Sequence, residues 1–388
     1  MIVGVAAGIA LRGPIKSRLR ALLGRGERPQ VAWVTGSPRE AGLDPVALDA
    51  WVAALGARST QALLVARGDR LVLEWYPEGT SVNRRQGLAA AAKGIVASLL
   101  VLQALQDGLV KLDTPVSSLV VEWAGDPVRE PISLRELGTH TSGMEDVPFL
   151  GDAGAHHTEP WKRTYEADPT VRYQLAIERA AITQAPGTSY QYSGVGYHPL
   201  SVALSRAYAR QGQPDLSAVL EQRVLGPLGV PPAAWQISYG QVYSYKGERV
   251  YSIGSGASLT PRAVARIGQL MLDRGAFDGS QLFDAASVDD LLTSPQGGAG
   301  AARLGEGAPT AAFGWYRNTG RFFPSVPEDA FLAAGAGHRV LLVVPSLELV
   351  LVRLGQSLDD TFIGPDSWIA LEEQIFAPLM AALGEPGP

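Results

Sequence analysis

The stretch GLAAAAKGIVASLLVLQALQDGLVKLDTPVSSLV, residues 87–120, decides the fold of this chain. From Ala89 to Gln106 it is rich in Ala, Leu and Val, and Gly108 follows, which predicts a long buried helix that ends near that glycine. Lys93 is the only charged residue in this helix. Burying an ammonium group is costly unless the group is paired or deprotonated. Lys93 therefore either has a partner or extends from the first turn to solvent.

The residue three positions before Lys93 is Ala90. S-x-x-K is the spacing at which a helix places a serine hydroxyl one turn away from a lysine amine. A lysine whose pKa is lowered can then accept the proton of that serine. No S-x-x-K and no G-x-S-x-G pattern occurs anywhere in the chain. The lysine of the pattern is present, and alanine stands where its nucleophile would be.

Two later segments extend this pattern: LRELGTHTSGM, residues 134–144, and PGTSYQYSGVGY, residues 186–197. With the helix they resemble, in the same order, the nucleophile helix, the L-L-x-H-T-S-G-L segment and the P-G-x-x-x-x-Y-S-N-x-x-Y segment of the class C β-lactamase, esterase and D-peptidase family of serine hydrolases. The resemblance extends from about Trp33 to Ala377 and is nearest to the 6-aminohexanoate-dimer hydrolase and esterase group. It implies a β-lactamase/transpeptidase-like fold.

Sheet-forming sequence lies towards both ends of the chain, with helical sequence between. The sheet-forming runs are Ala62–Ala66, Arg70–Tyr76, His338–Val344 and Glu348–Leu354. Helices are predicted after Asp44-Pro45, after Thr260-Pro261 and over Ser367–Phe376, and no run typical of a strand interrupts the middle of the chain. We therefore expect an α/β (α+β) fold, an antiparallel sheet flanked by helices with an inserted all-helical lobe. The expected boundaries are an arm over residues 1–30, an α/β lobe over 31–85 and 250–388, and a helical lobe over 86–249.

The resemblance also implies roles for particular residues. Ala90 would occupy the nucleophile position, and Tyr192 would be the phenol that relays a proton with Lys93. A phenol becomes a base only if an adjacent cation stabilises the phenolate. The family has an amide side chain two residues after this tyrosine, where this chain has Gly194, so substrate binding by that amide is not implied.

The strand motif of the K-T-G or H-x-G type corresponds to Ala333, Ala334 and Gly335. Its backbone would line a bound acyl group, and one strand N–H would join the N–H of residue 90 in an oxyanion hole. Because the K-T-G lysine is absent, neutral esters or amides are favoured over β-lactams as substrates.

Two nearby residues, His338 and Arg339, have two interpretations. They could give the substrate site a positive wall, or they could be ordinary strand-edge residues that face solvent. His140, in the HTSG segment, is expected to make a structural hydrogen bond.

The amino-acid composition limits the classes of function that the chain can have. The chain has 388 residues, a formal net charge of -5 and no cysteine, which argues against a nucleic-acid partner and excludes a thiol nucleophile. His156 and His157 lie near Asp152 and Glu159, but their spacing matches no familiar metal site, so we expect neither a metal nor a cofactor.

The first residues, Met1–Leu11, are apolar but too few to span a membrane. Basic residues follow them: Lys16, Arg18, Arg20, Arg25 and Arg28. The segment is a remnant export or anchor signal or an amphipathic arm, so membrane contact through residues 1–28 stays open. It favours an exported, periplasmic or membrane-associated protein over a cytoplasmic one.

The sequence thus predicts a serine hydrolase, an esterase or amidase that could also transfer acyl groups, which acts on a small ester or amide through an acyl-enzyme. With Ala90 the chain is expected to be inactive. The alternative is a naturally inactive relative that binds a ligand or a protein partner. The oligomeric state is not predicted.

Overall fold

We analysed a computed structural model that describes residues 31–147, 158–213, 215–293, 309–359 and 365–383. The expected arm over residues 1–30 and the pair His156 and His157 lie outside the described residues.

An eight-stranded sheet forms the centre of the described part of the chain. Its strand order is β1-β3-β2-β15-β14-β13-β12-β11. The strands are β1 (Val34–Thr35), β2 (Thr60–Arg67), β3 (Arg70–Trp75), β4 (Gln86–Gly87), β5 (Trp235–Gln236), β6 (Tyr243–Tyr245), β7 (Glu248–Val250), β8 (Ser258–Leu259), β9 (Ala276–Phe277), β10 (Ser280–Gln281), β11 (Thr310–Ala311), β12 (Tyr316–Arg317), β13 (Phe331–Gly335), β14 (Arg339–Val344) and β15 (Leu349–Gly355). Neighbouring strands of the large sheet are antiparallel except β1 and β3, which are parallel.

The helices lie on both faces of this sheet. They are α1 (Pro45–Gly56), α2 (Ser98–Gln106), α3 (Leu134–Gly138), α4 (Pro160–Ala167), α5 (Arg172–Glu178), α6 (Tyr197–Ala209), α7 (Leu216–Val219), α8 (Pro261–Leu272), α9 (Ala285–Leu292), α10 (Pro365–Leu371) and α11 (Ala377–Ala382). The predicted start of α1 is capped by Asp44, whose side chain accepts from the backbone N–H of Val46. At the start of α3, Ser133 and Glu136 form a capping box.

Strands from the two ends of the chain share the sheet, as the sequence predicts. The β2–β3 hairpin turns through Gly68, whose φ is +59°. β15 pairs antiparallel with β2, with Val352 opposite Leu64. Successive side chains of β2 belong to two different apolar clusters, with Ala62 in one and Leu63 in the other. The sheet therefore has a buried core on each face.

The predicted central helix runs from Ala89 to Gln106 in three parts: a 3-10 turn (Ala89–Ala91), a π-helical segment (Lys93–Ala97) and α2. It is long and apolar enough to cross a membrane, yet 78% of it is buried inside the fold, as in the core helix of a soluble domain. A Cβ on Gly94 would lie 2.8 Å from the Cβ of Ala333, so the helix packs directly on β13. This contact places the first turn of the helix beside the end of the sheet.

The expectation that no strand interrupts the middle of the chain was wrong. β6 and β7 form a hairpin there, and β5 pairs with β8, which also pairs with β4. Each of these strands has only two or three residues, too few for an alternating apolar pattern to show in the sequence.

Candidate active site

Residue 90 lies in a strained turn at the start of the central helix. Ala89 has a φ of +50°, a conformation that costs energy for any residue with a Cβ and that is frequent at functional sites. Ala90 is half-buried, whereas every residue from 91 to 100 is buried. Residue 90 is therefore part of the short stretch of this helix that solvent or a ligand can reach.

Lys93 is buried rather than extended to solvent. Its side chain Nζ donates hydrogen bonds to the hydroxyl of Tyr192 at 2.8 Å and to the carbonyl oxygen of Gly254 at 3.1 Å. Burial lowers the pKa of Lys93 to about 8, against the opposing effect of the nearby Asp146 and Tyr239. Near neutral pH an appreciable fraction of this amine is unprotonated and able to accept a proton.

Tyr192 is the second predicted catalytic residue, and it is hydrogen-bonded to Lys93. Burial, with a smaller contribution from the Asp146 charge, raises the pKa of its phenol. The phenol therefore stays protonated, and its oxygen accepts from the amine. This favours the amine of Lys93, rather than a phenolate, as the base of the pair.

Asp146 was not found by sequence reasoning. Its Oδ1 accepts hydrogen bonds from the backbone N–H of Gly194 at 2.7 Å and of Val195 at 3.3 Å. A Cβ on Gly194 would lie 3.5 Å from the same oxygen, so the carboxylate borders the space in which the family's amide side chain would begin. Burial raises the pKa of Asp146, and the charge of Lys93 opposes the rise. No motif marks Asp146, because only the folded chain brings it near Lys93.

His140 makes the structural hydrogen bond that was expected of it. The ring is 3% exposed, and its Nδ1 accepts from the backbone N–H of Ser193 at 3.1 Å. The ring centroid lies 4.5 Å from that of Tyr192. Burial and the charge of Lys93 lower the pKa of His140, so the imidazole is neutral. Its ring packs against the ring of Tyr192.

Gly335, at the end of β13, lies against the turn that contains residue 90. A Cβ on Gly335 would stand 2.5 Å from the carbonyl oxygen of Leu88 and 3.0 Å from the nitrogen of Ala90. Only glycine allows this approach without a shift of the strand or of the turn. Ala334, the preceding residue, is half-buried in the same strand.

His338 lies in the turn between β13 and β14, and Arg339 is the first residue of β14. His338 is 1% exposed, and its Nδ1 accepts from the backbone N–H of Leu358, so it is not a solvent-facing edge residue. Burial lowers the pKa of His338, which leaves the ring neutral rather than part of a positive wall. Arg339 is half-buried and donates to the carbonyl oxygen of Ala336.

The structure thus brings Lys93 and Tyr192 together and sets Gly335 beside Ala90. Gly194 is linked to this group because its backbone N–H donates to Asp146, the carboxylate that lies near Lys93. Within the residues that the structure describes, no group of three or more His, Cys, Asp or Glu side chains could hold a metal ion.

Comparison of the sequence with known protein families identifies the family of this chain. The sequence profile of the β-lactamase family matches residues 48–374. The chain belongs to the β-lactamase family. The family consists of serine hydrolases, with esterases and amidases among its members.

Among its relatives, the 6-aminohexanoate-dimer hydrolase of Paenarthrobacter ureafaciens is 24% identical over 332 residues, which cover 84% of this chain and 79% of that protein. Among solved structures, a penicillin-binding-protein homologue from Caulobacter crescentus has a TM-score of 0.64 at 16% identity and covers 90% of this chain and 99% of its own. A family VIII carboxylesterase has a TM-score of 0.63 at 14% identity, with coverage of 90% and 99%. The match to the family profile confirms the predicted family, and the likeness to the solved structures confirms the predicted fold.

Proposed function

We propose that the region around residue 90 is the acyl site of an esterase or amidase, and that the chain with Ala90 binds such substrates without turning them over. The hydrogen bond between Lys93 and Tyr192, one turn from residue 90, is the observation that carries the proposal. A buried amine kept beside a phenol is costly, and the pair has an evident use if a hydroxyl stands at residue 90.

The chemistry follows from the protonation states. A serine at position 90 would give its proton to the neutral amine of Lys93 and attack the substrate carbonyl, which forms an acyl-enzyme. Tyr192, a neutral phenol, would pass the proton on to the leaving group. The first N–H groups of a helix have no partner within the helix, so the N–H of residue 90 is available to stabilise the oxyanion. Water or an amine would then release the acyl group.

The substrates proposed are neutral esters or amides. Gly335 and Ala334 end the strand where the K-T-G motif would supply a lysine, so this strand provides no side-chain cation for a substrate carboxylate. The carboxylate of Asp146 lies close to Lys93, and its negative charge makes the site still less suited to a negatively charged acyl group.

The test is Ala90→Ser, assayed with p-nitrophenyl acetate, p-nitrophenyl butyrate and short amides. We expect turnover to rise about a thousandfold or more over the unaltered chain, since the groups of such a site act as a unit. Mass spectrometry of the variant with substrate should show an acyl adduct on residue 90.

Ala89→Ser is the matched control, because it adds the same hydroxyl one position away on the same half-buried turn. It should remain inactive. Absence of both turnover and adduct in a folded Ala90→Ser protein, across esters and amides, would refute the proposal.

A second candidate function is ligand or partner binding by a naturally inactive relative. The alanine at position 90 is the observation that favours it. An alanine codon at this position in the source gene supports the binding protein, and a serine codon supports the hydrolase. A binding protein would also keep its ligand affinity in Ala90→Ser while it gains no turnover.

A further inference from the structure

A pocket opens beside β4, close to the turn that contains residue 90. It has a volume of about 290 Å³. Its lining consists of arginine, glutamine and glycine residues: Gln61, Arg84, Arg85, Gln86, Gly87, Arg339, Gly355 and Gln356. No carboxylate is among these lining residues. The pocket is therefore positively charged and rich in hydrogen-bond donors.

The three arginines of this pocket have no acidic partner in the ranges that the structure describes. Arg85 donates to the backbone carbonyl of Trp235 at 2.9 Å, and Arg339 donates to that of Ala336. Arg84 is exposed, and Arg339 is half-buried. Burial lowers the pKa of Arg339, with no nearby carboxylate to oppose it. Charge on this side of the pocket is thus left uncompensated.

A fourth arginine lies immediately behind the pocket wall. Arg353 is 0% exposed and donates to Thr60 Oγ1 at 3.1 Å and to the carbonyl oxygen of Gly337 at 2.7 Å. Its guanidinium lies 3.0 Å from where a Cβ on Gly355, a wall residue, would stand. Burial lowers the pKa of Arg353, and the positive charge of Arg339 lowers it further. The groups that accept its hydrogen bonds, Thr60 Oγ1 and backbone carbonyl oxygens, carry no charge.

Three guanidinium groups line the pocket and that of Arg353 lies behind its wall, and none of the four is paired with a carboxylate in the described part of the chain. Burial of Arg339 and Arg353 without a counter-charge is costly. An anion in the cavity would remove that cost, and guanidinium forks match the geometry of carboxylate and phosphate oxygens. We infer that this pocket binds an oxyanion, either phosphate or the carboxylate of a small molecule. The inference does not rest on the proposed hydrolase function, because the pocket is complete without a nucleophile at residue 90.

Isothermal titration calorimetry of the unaltered chain tests the inference, with inorganic phosphate and succinate titrated separately at constant ionic strength in a chloride buffer. We expect saturable binding of at least one of them that weakens as salt is added. Binding of phosphate alone would assign the pocket to phosphate, and binding of succinate alone to a carboxylate compound. Arg339→Gln and, independently, Arg84→Gln should weaken the affinity about tenfold, as loss of a charge-assisted hydrogen bond does.

Arg39→Gln is the matched control, since Arg39 is an exposed arginine outside the pocket and loses the same charge. It should keep the affinity of the unaltered chain. Because Arg84 is exposed, its variant keeps the test valid even if Arg339→Gln fails to fold. Absence of saturable binding with both anions, or an equal loss in Arg39→Gln, would overturn the inference. Neither result bears on turnover by Ala90→Ser, so the two proposals fail separately.

Discussion

At the scale of single residues, the protonation of Lys93 controls the proposed chemistry. Its pKa lies near 8, below the ordinary value of 10.5, because burial disfavours the ammonium form. Below that pH most of the amine is protonated, and only the remaining fraction can accept a proton from residue 90. Above it the amine is neutral and can.

The pH dependence of Ala90→Ser should therefore rise with pH and level off above about 8. Measuring kcat/KM for a p-nitrophenyl ester across this range checks the prediction. Lys93→Arg in the same background should lose the activity, since arginine stays protonated. A profile that falls through this range would contradict the role given to the amine.

The charge of Asp146 should set the pH at which kcat/KM rises, because Asp146 lies near Lys93. Its negative charge raises the pKa of the amine, so Asp146→Asn in the Ala90→Ser background should move the rising limb to lower pH. Glu145→Gln is the matched control, because Glu145 pairs with Lys162 at 2.6 Å. That variant should leave the limb in place, and a limb that moves to higher pH in Asp146→Asn would contradict the assignment.

At the scale of elements, the contact between β13 and the first turn of the central helix sets the shape of the site. Gly335 leaves room for the turn, and Gly94 leaves room for the strand one helical turn later. The helix and β13 are thus fixed against each other on both sides of residue 90. A site built on such rigid elements keeps its donors in position.

Gly335→Ala should therefore destabilise the fold, since its Cβ would stand 2.5 Å from the carbonyl oxygen of Leu88 and 2.8 Å from the nitrogen of Ala91. We expect the free energy of unfolding in urea to fall by about 1–3 kcal/mol, the usual range for overpacking. Gly87→Ala is the control, because nothing lies within 4 Å of its added Cβ. Its stability should be unchanged or slightly higher, and equal losses in the two variants would contradict the packing argument.

At the scale of the whole molecule, an ion pair joins segments far apart in sequence. Arg262, at the start of α8, donates from Nε and Nη2 to the two carboxylate oxygens of Glu74 in β3, both at 2.7 Å. The side chains are 20% and 18% exposed. The pair ties α8 to the hairpin at the start of the sheet.

Glu74→Gln should lower the free energy of unfolding by about 1–3 kcal/mol, the range for a hydrogen bond between charged groups. Burial raises the pKa of Glu74, but hydrogen bonds from Arg262 and Tyr76 outweigh burial and leave it lowered. This pair therefore contributes its stability above pH 4.5, the ordinary value, and loses it as the pH falls through the lowered pKa.

Thermal unfolding of Glu74→Gln at neutral and acidic pH checks both parts of this prediction. Asp113→Asn, which removes one of the two acidic partners of Arg135, is the control: Asp113 is 73% exposed, so its loss should cost less than about 1 kcal/mol. Equal losses in the two variants, or a difference between Glu74→Gln and the unaltered chain that grows in acid, would contradict the argument.

Local patterns in the sequence were enough to predict much of the fold. The apolar composition of Ala89–Gln106, the Asp44 cap and the hairpin at Gly68 each depend on neighbouring residues alone. The motif spacing likewise indicated Ala90, Lys93 and Tyr192, because one helical turn fixes the first distance and the resemblance supplied the third residue.

Only the tertiary structure decided what surrounds those residues. The burial that lowers the pKa of Lys93, the approach of Asp146 to that lysine and the three arginines that line one cavity arise from segments far apart in the chain. The short strands β4, β5 and β8 form because partners distant in sequence complete their hydrogen bonds. Desolvation and charge interactions depend on distances in space, and spacing along a sequence fixes those distances only within a single helix or hairpin.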